Sequence, residues 1–76
     1  MASASELKHS IEVYESLIAN YTWVRERMIE RRRGAEDHVM VELDDRLQAN
    51  ARTVEALLRA VEVTRQHLKL AEQGKL

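Results

Sequence analysis

The sequence predicts an all-α fold: an antiparallel hairpin of two helices, coiled-coil-like, that associates into a four-helix bundle or a larger helical assembly. Apolar residues recur at helical spacing along most of the chain. Proline is absent, and only Gly34 and Gly74 interrupt the helical pattern. The apolar face of the second half is also too wide for one neighbouring helix to cover, so we expect further chains to pack against it.

Length and composition indicate one small domain that has difficulty burying a core. A chain of 76 residues is only marginally able to fold alone, and association is the usual remedy. Charged residues make up 33% and aromatic residues 4%, which is typical of helical proteins. The net charge of −1 argues against a general attraction to nucleic acid or acidic lipid. We find neither an apolar run of about 18 residues nor a secretory signal, so a cytoplasmic protein is expected.

The first helix is expected to run from about residue 4 to about residue 33. Ser3 and Glu6 have the spacing of a capping box, in which each side chain bonds the other residue's amide. An inward stripe follows at alternating spacings of four and three, with Leu17 and Val24 alongside it. Its members are Leu7, Ile11, Tyr14, Ile18, Tyr21, Arg25 and Met28.

A turn is predicted at residues 34–36. Arg31, Arg32 and Arg33 place positive charge on the last carbonyls of the helix, and Gly34 tolerates the left-handed backbone that ends many helices. One uninterrupted helix through Gly34 would cost only about 1 kcal/mol in propensity. That alternative would leave both apolar stripes in water, so burial favours the hairpin.

The second helix is expected from about residue 36 to about residue 73, and it carries a heptad seam with two polar interruptions, Asn50 and Thr64. The seam comprises Met40, Leu43, Leu47, Asn50, Val54, Leu57, Val61, Thr64, Leu68 and Ala71. Further apolar residues flank it: Ala49, Ala56, Val63 and Leu70 on one side, Ala51 and Leu58 on the other. Together they cover roughly half the circumference, against roughly 100° in an ordinary amphipathic helix.

The positions of the two stripes predict a register for the hairpin. A fold about the turn would place Tyr21 beside Leu47 and Arg25 near Asp44. The second helix would then overhang the first by about two turns, leaving Leu68 without a partner from its own chain.

Asn50 allows two interpretations. It is either a registry device, an amide that pairs across the bundle and excludes other alignments, or a partly exposed amide at the margin of the seam. Both interpretations make its role structural.

These patterns predict a non-enzymatic protein–protein interaction module, such as a small adaptor, chaperone, scaffold or inhibitor. We expect it to associate with itself as a homodimer and to bind another protein. The residues expected to mediate self-association are Ile11, Tyr14, Ile18, Tyr21, Met40, Leu43, Leu47, Asn50, Val54, Leu57, Leu58, Val61 and Leu68. Trp23, which lies opposite the inward stripe, and Leu70 are candidate contacts for a partner; Val13 could extend the Trp23 patch.

Two rival functions remain open. One is an obligate subunit of a hetero-oligomeric complex, whose wide apolar face packs on a different chain. The other is a nucleic-acid-binding bundle, because small helical hairpins that form bundles can grip RNA. Its candidate phosphate contacts are Arg27, Arg31, Arg32 and Arg33. The interspersed acids Glu26 and Glu30 weaken that interpretation.

No catalytic, metal or cofactor pattern is visible. Without cysteine, the chain has neither disulfides nor a thiolate metal site. Glu6 and His9 have the E-x-x-H spacing of di-iron bundles, but they lie off the inward stripe. Asp44 and Asp45 cannot converge, because adjacent helical residues point about 100° apart. We therefore expect no enzyme activity, no cofactor, no membrane insertion and no small-molecule ligand.

Overall fold

The computed structural model describes residues 3–74 and confirms the all-α hairpin. Helix α1 spans Ala4–Arg32, helix α2 spans Asp37–Glu72, and the two helices pack against each other. The result is a rod with extents of 56 × 15 × 14 Å. Such a shape has little interior, so most side chains contact either the other helix or solvent.

The ends of the helices follow the capping signals. Ser3 Oγ accepts a hydrogen bond from the Glu6 amide at 3.2 Å, one of the two bonds of the predicted capping box. Gly34 has a φ of 72°, in the left-handed region. A Cβ added to Gly34 would meet no atom within 4 Å, so the backbone conformation, and not crowding, favours glycine there. The Glu36 carbonyl then accepts the amides of Val39 and Met40, which starts α2.

Burial follows the predicted inward positions of both helices. Among residues 3–74 the buried side chains are Leu7 and Met28 from α1, with Leu43, Asn50 and Val61 from α2. The other seam positions of α2 are half-buried: Met40, Leu47, Val54, Leu57, Thr64, Leu68 and Ala71. We call this contact between α1 and α2 the seam.

The predicted register is wrong, and the contacts between the helices fall further along α2 than expected. Tyr21 was expected beside Leu47, but its carbonyl oxygen accepts a hydrogen bond of 2.9 Å from Asn50 Nδ2, three residues further along α2. The physical reason is that Asn50 is buried at the seam, where its amide needs a partner, and the Tyr21 carbonyl supplies one. Matching apolar stripes by spacing alone took no account of this bond.

The predicted partner of Asp44 is also wrong. Arg32, and not Arg25, holds this carboxylate, with Nε to Oδ1 at 2.7 Å and Nη2 to Oδ2 at 3.3 Å. The hydrogen bond from Arg32 lowers the pKa of Asp44 below its usual range, against an opposing effect of desolvation. Arg25 is exposed to solvent, so its position in the inward stripe is tolerated without a buried ion pair.

The expected overhang of α2 does not occur. Lys8, near the start of α1, lies 3.8 Å from Glu72, the last residue of α2, measured from Nζ to Oε1. Leu68 is half-buried, because the displaced register brings α1 alongside it.

In residues 3–74 no helix has the length and apolar character needed to cross a membrane.

Candidate interaction surface

The hairpin leaves more large apolar side chains in contact with solvent than it buries. Four apolar side chains are buried within residues 3–74: Leu7, Met28, Leu43 and Val61. The exposed ones are Val13, Leu17, Tyr21, Trp23, Val24, Ile29, Val41, Leu58, Val63 and Leu70. Single exposed apolar residues are normal on proteins, so the informative question is which of these residues lie together.

A long apolar groove lies along one side of the seam. Its walls come from both helices, and its volume is about 380 Å³. Helix α1 contributes Leu17, Asn20, Tyr21, Val24 and Met28, and α2 contributes Arg46, Ala49, Asn50 and Thr53. We call this surface the open groove.

Helical spacing explains why these side chains share one side of the molecule. Leu17, Asn20 and Val24 are separated by three and four residues, which aligns them along α1. Val13, four residues before Leu17, continues the same line and is exposed. On α2, Ala49 and Thr53 have the same relation. Each helix therefore carries two inward lines: one lies in the seam and the other borders the open groove.

Asn50 lies where the seam meets the open groove. Its side chain is only 6% exposed, which excludes the interpretation as an amide at an exposed margin. The bond from Nδ2 to the Tyr21 carbonyl crosses between the helices, as a registry device requires. The Oδ1 atom is buried without a hydrogen-bond partner, so Asn50 also carries a desolvation cost.

Most of the residues predicted to self-associate lie in the seam of a single chain. Leu43, Val61 and their half-buried neighbours are occupied by contacts within the hairpin. Tyr21 and Asn50 are the predicted residues that also line the open groove. Leu58 lies on α2 beside Val61 in a shallower depression with charged walls, formed also by Glu62, Arg65, Gln66 and Lys69.

Seven of the nine residues that line the open groove were not predicted from the sequence as site residues: Leu17, Asn20, Val24, Met28, Arg46, Ala49 and Thr53. A signal for Leu17 and Val24 was present, because they lie beside the inward stripe at helical spacing. Ala49 was assigned to the flank of the seam, where it belongs. What the pattern could not show was that these flanks meet on the same side of the hairpin.

Trp23 lies outside the open groove and is the most exposed aromatic side chain of the described residues. It is 57% exposed, and the guanidinium carbon of Arg27 stands 5.3 Å from its ring centroid. A cation at this distance from an indole contributes about 0.5–1 kcal/mol at an exposed site. The pair leaves much of the ring free for a partner. Leu70, the other candidate partner contact, is exposed near the end of α2.

The four candidate phosphate contacts near the end of α1, which we call the arginine tip, are partly engaged within the chain. Arg32 is bound to Asp44, and Arg27 stacks on Trp23. Arg31 and Arg33, the other two predicted phosphate contacts, are exposed. Engagement of two of the four guanidinium groups reduces what the tip can offer a phosphate backbone.

The part of the chain that the structure describes has no cluster of side chains that could bind a metal ion. No group of three or more histidine, aspartate or glutamate side chains comes close enough to hold an ion there. The Glu6 and His9 motif therefore has no third ligand beside it.

The open groove is mostly apolar and runs along both helices, which suits the side of another helix better than a small polar molecule. Its few polar groups are amides and hydroxyls from Asn20, Asn50, Thr53 and Tyr21, with Arg46 at one end.

No protein-family model matches this sequence, and no curated protein or solved structure matches it either.

Proposed function

We propose that this chain is a non-enzymatic protein–protein interaction module, of the class of small adaptors, chaperones, scaffolds or inhibitors, that acts through self-association and exposed helical faces. The observation that supports it is the open groove, in which Leu17, Tyr21 and Val24 remain in contact with solvent. Covering apolar surface contributes roughly 25 cal/mol per Å², so a second helical surface placed there would stabilise both chains.

Self-association into a four-helix bundle is the arrangement that uses both inward lines of each helix. A single hairpin buries one side of each helix, whereas a helix in a four-helix bundle contacts two neighbours. The second line of α1, which passes through Val13, Leu17 and Val24, would become buried in such a bundle. The homodimer is therefore part of the proposal.

Contact with a different protein would use the surface that the bundle leaves free. Trp23 lies away from the open groove, and its indole combines a large apolar area with a hydrogen-bond donor. Leu70 adds a second exposed apolar side chain on α2. These two residues are the proposed contacts for a heterologous partner.

The cytoplasmic location stays a prediction from the sequence.

An obligate subunit of a hetero-oligomeric complex is the second candidate, because the open groove could equally receive a helix of another chain. The two candidates differ in what the isolated chain does. A self-associating module gives one defined oligomer that is stable alone. An obligate subunit gives a poorly folded chain or a mixture of oligomers.

Sedimentation equilibrium of the isolated chain, from low micromolar concentration upward, tests the proposal when circular dichroism is recorded on the same samples. We expect a reversible monomer–dimer equilibrium, with helicity and thermal midpoint rising with concentration. A compact monomer that melts cooperatively and independently of concentration would contradict it. Ill-defined oligomers would favour the obligate subunit.

A further inference from the structure

We propose that a second copy of this chain covers the open groove, with the two hairpins related by a two-fold axis and the side of α1 that borders the groove packed antiparallel against the same side of α1 in the other copy. This inference rests on the proposed function and specifies its interface. Two observations support it. The first is the charge pattern along the side of α1 that borders the open groove, which we call the groove side of α1. The second is that α2 carries small side chains beside the middle of this stretch of α1.

The groove side of α1 has an uncharged middle and oppositely charged ends. The uncharged positions on this side of α1 are Ser10, Val13, Leu17, Asn20, Tyr21 and Val24. Glu6 precedes this stretch by one turn, whereas Arg27 and Arg31 follow it at helical spacing. One end of the line is therefore acidic and the other basic.

This pattern complements itself only when the copies are antiparallel. A two-fold interface places each residue against the one equally distant from the axis on the other copy. With the axis beside the midpoint between Ile18 and Ala19, Val13 faces Val24 and Leu17 faces Asn20.

The charged ends fit the same axis, because Glu6 and Arg31 are also equally distant from that midpoint. Each copy would thus contribute one acid and one base to two equivalent ion pairs. A parallel dimer would instead place Glu6 against Glu6 and Arg31 against Arg31, and like charges across an interface disfavour that arrangement.

Helix α2 allows the same axis. Contacts from Glu15 to Arg65 and from Tyr21 to Asn50 place the middle of α1 beside the stretch of α2 between residues 50 and 65. The groove side of α2 near this level carries small, uncharged side chains at helical spacing: Ala49, Thr53, Ala56 and Ala60. Small side chains let two α2 helices approach closely, so α2 would not hold the larger α1 residues apart.

The available area is sufficient for a specific dimer. Glu6 and Arg31 are separated by about 37 Å along α1, because the helix rises about 1.5 Å per residue. A strip of that length across a hairpin 15 Å wide has roughly 550 Å² on each copy, or roughly 1,100 Å² in total. Specific interfaces begin at about 1,000 Å², so the proposed contact lies at the lower end of their range.

A charge-swap cycle tests the antiparallel geometry. We expect Glu6→Lys and Arg31→Glu each to weaken dimerisation roughly tenfold, because each places like charges at both ends of the interface. The double variant restores the ion pairs with reversed polarity, so its dissociation constant should return to within about threefold of the wild-type value. Sedimentation equilibrium measures all four proteins.

The cycle separates contacts between copies from effects on a single helix. Glu6 and Arg31 lie at opposite ends of α1, so they cannot compensate each other within one chain. If the two changes acted only on the helix ends, their effects would add, and the double variant would be the weakest dimer. That result would overturn the inference.

Cross-linking gives a second readout that does not depend on charge. The chain has no cysteine, so Val13→Cys and Val24→Cys can be introduced together and treated with a short bismaleimide. We expect efficient covalent dimers from the double variant, and little cross-linking from either single variant, because an antiparallel dimer brings residue 13 near residue 24. Efficient dimers from the single variants would indicate a parallel arrangement and overturn the inference.

Adjacent residues provide the matched control for the surface. Val24→Ala should weaken the dimer severalfold, because Val24 lines the open groove, whereas Trp23→Ala should leave it unchanged. The reverse result would place the interface on the Trp23 side. A dimer unaffected by groove variants would overturn this inference and leave the proposed function standing; a chain that stays monomeric would overturn both.

Discussion

The seam and the open groove are formed by the same two helices, yet one is closed and the other is not. At the seam, Leu43 is only 2% exposed, whereas Leu17 and Val24 in the groove are 40% and 39% exposed. Both surfaces arise from apolar residues at helical spacing, so composition does not separate them. The difference is that each helix has one neighbour within the chain, and that neighbour can cover only one of its two apolar lines.

The two surfaces also differ in what their polar groups do. In the seam, the Asn50 amide bonds the Tyr21 carbonyl and ties a residue of α2 to a specific residue of α1. In the groove, Asn20 and Thr53 are additional polar groups around an apolar floor. The polar bond in the seam therefore aligns α2 with α1, whereas the open groove is the surface through which we propose further association.

The largest expected effect comes from truncation in the seam. Leu43→Ala should reduce the free energy of unfolding by about 2–5 kcal/mol, because it opens a cavity at the most buried side chain. For a chain this small such a loss should abolish folding at low concentration. Urea denaturation followed by circular dichroism measures it.

Val41→Ala is the matched control, since Val41 is exposed on the same helix. It should change the free energy of unfolding by no more than about 0.5 kcal/mol. Equal losses for the two variants would mean that the seam does not stabilise the hairpin more than its surface does.

The second effect separates stability from alignment. Asn50→Leu should raise the free energy of unfolding by about 1–2 kcal/mol, because it removes a buried oxygen without a partner. It should also broaden the distribution of oligomers, since the bond that fixes the register is lost. Denaturation and native mass spectrometry measure the two consequences on the same protein.

Thr64→Val tests the other polar interruption of the seam. Thr64 Oγ1 donates to the Ala60 carbonyl at 2.6 Å within α2, so it bonds its own helix and not α1. We therefore expect no change in the distribution of oligomers. If Asn50→Leu also left a single, well-defined species, the registry interpretation would be wrong.

The sequence predicted the elements that depend on local chemistry. The Ser3 cap, the left-handed Gly34 and the inward positions Leu43 and Val61 follow from spacing and backbone preference, and the structure contains them. These features need no knowledge of the other helix. The turn was also chosen correctly over an uninterrupted helix, because exposure of both stripes outweighs a cost of about 1 kcal/mol for glycine.

The register and the open groove could not be predicted in the same way, because they depend on how the two helices are placed. A heptad pattern repeats, so neighbouring alignments cover nearly the same apolar area, and the polar contacts between the helices, among them the bond from Asn50 to the Tyr21 carbonyl, distinguish them. The position of Arg32 against Asp44 follows from that alignment. The groove residues Leu17 and Ala49 are recognisable as one surface only after the register is known.

The third effect concerns the turn that makes the seam possible. Gly34→Ala should reduce the free energy of unfolding by about 1 kcal/mol, because alanine is strained at a φ of 72°. Alanine also favours the uninterrupted helix, so we expect some extended dimers in which the seam forms between chains. Urea denaturation and small-angle X-ray scattering measure both changes.

Gly74→Ala is the control for Gly34→Ala. Its φ is 70°, and an added Cβ meets no atom within 4 Å in either case. Because Gly74 follows the end of α2, strain there can be relieved without opening the seam, and we expect little effect. Equal effects at the two glycines would show that the turn has no special role in holding the hairpin closed.

The smallest effect is a dependence on pH at the edge of the seam. The hydrogen bond from Arg32 lowers the pKa of Asp44, so the folded chain binds this proton less readily than the unfolded chain. The stabilisation is present above about pH 4 and is lost as the pH falls through the lower pKa of the folded state. Asp44→Asn should therefore flatten the acid limb of the stability profile, measured as thermal midpoint against pH.

Asp45→Asn is the control, because it removes a neighbouring exposed charge that points to a different side of α2, and it should flatten the acid limb less. If Asp45→Asn flattened the acid limb more than Asp44→Asn, the Arg32 bond would contribute nothing in solution.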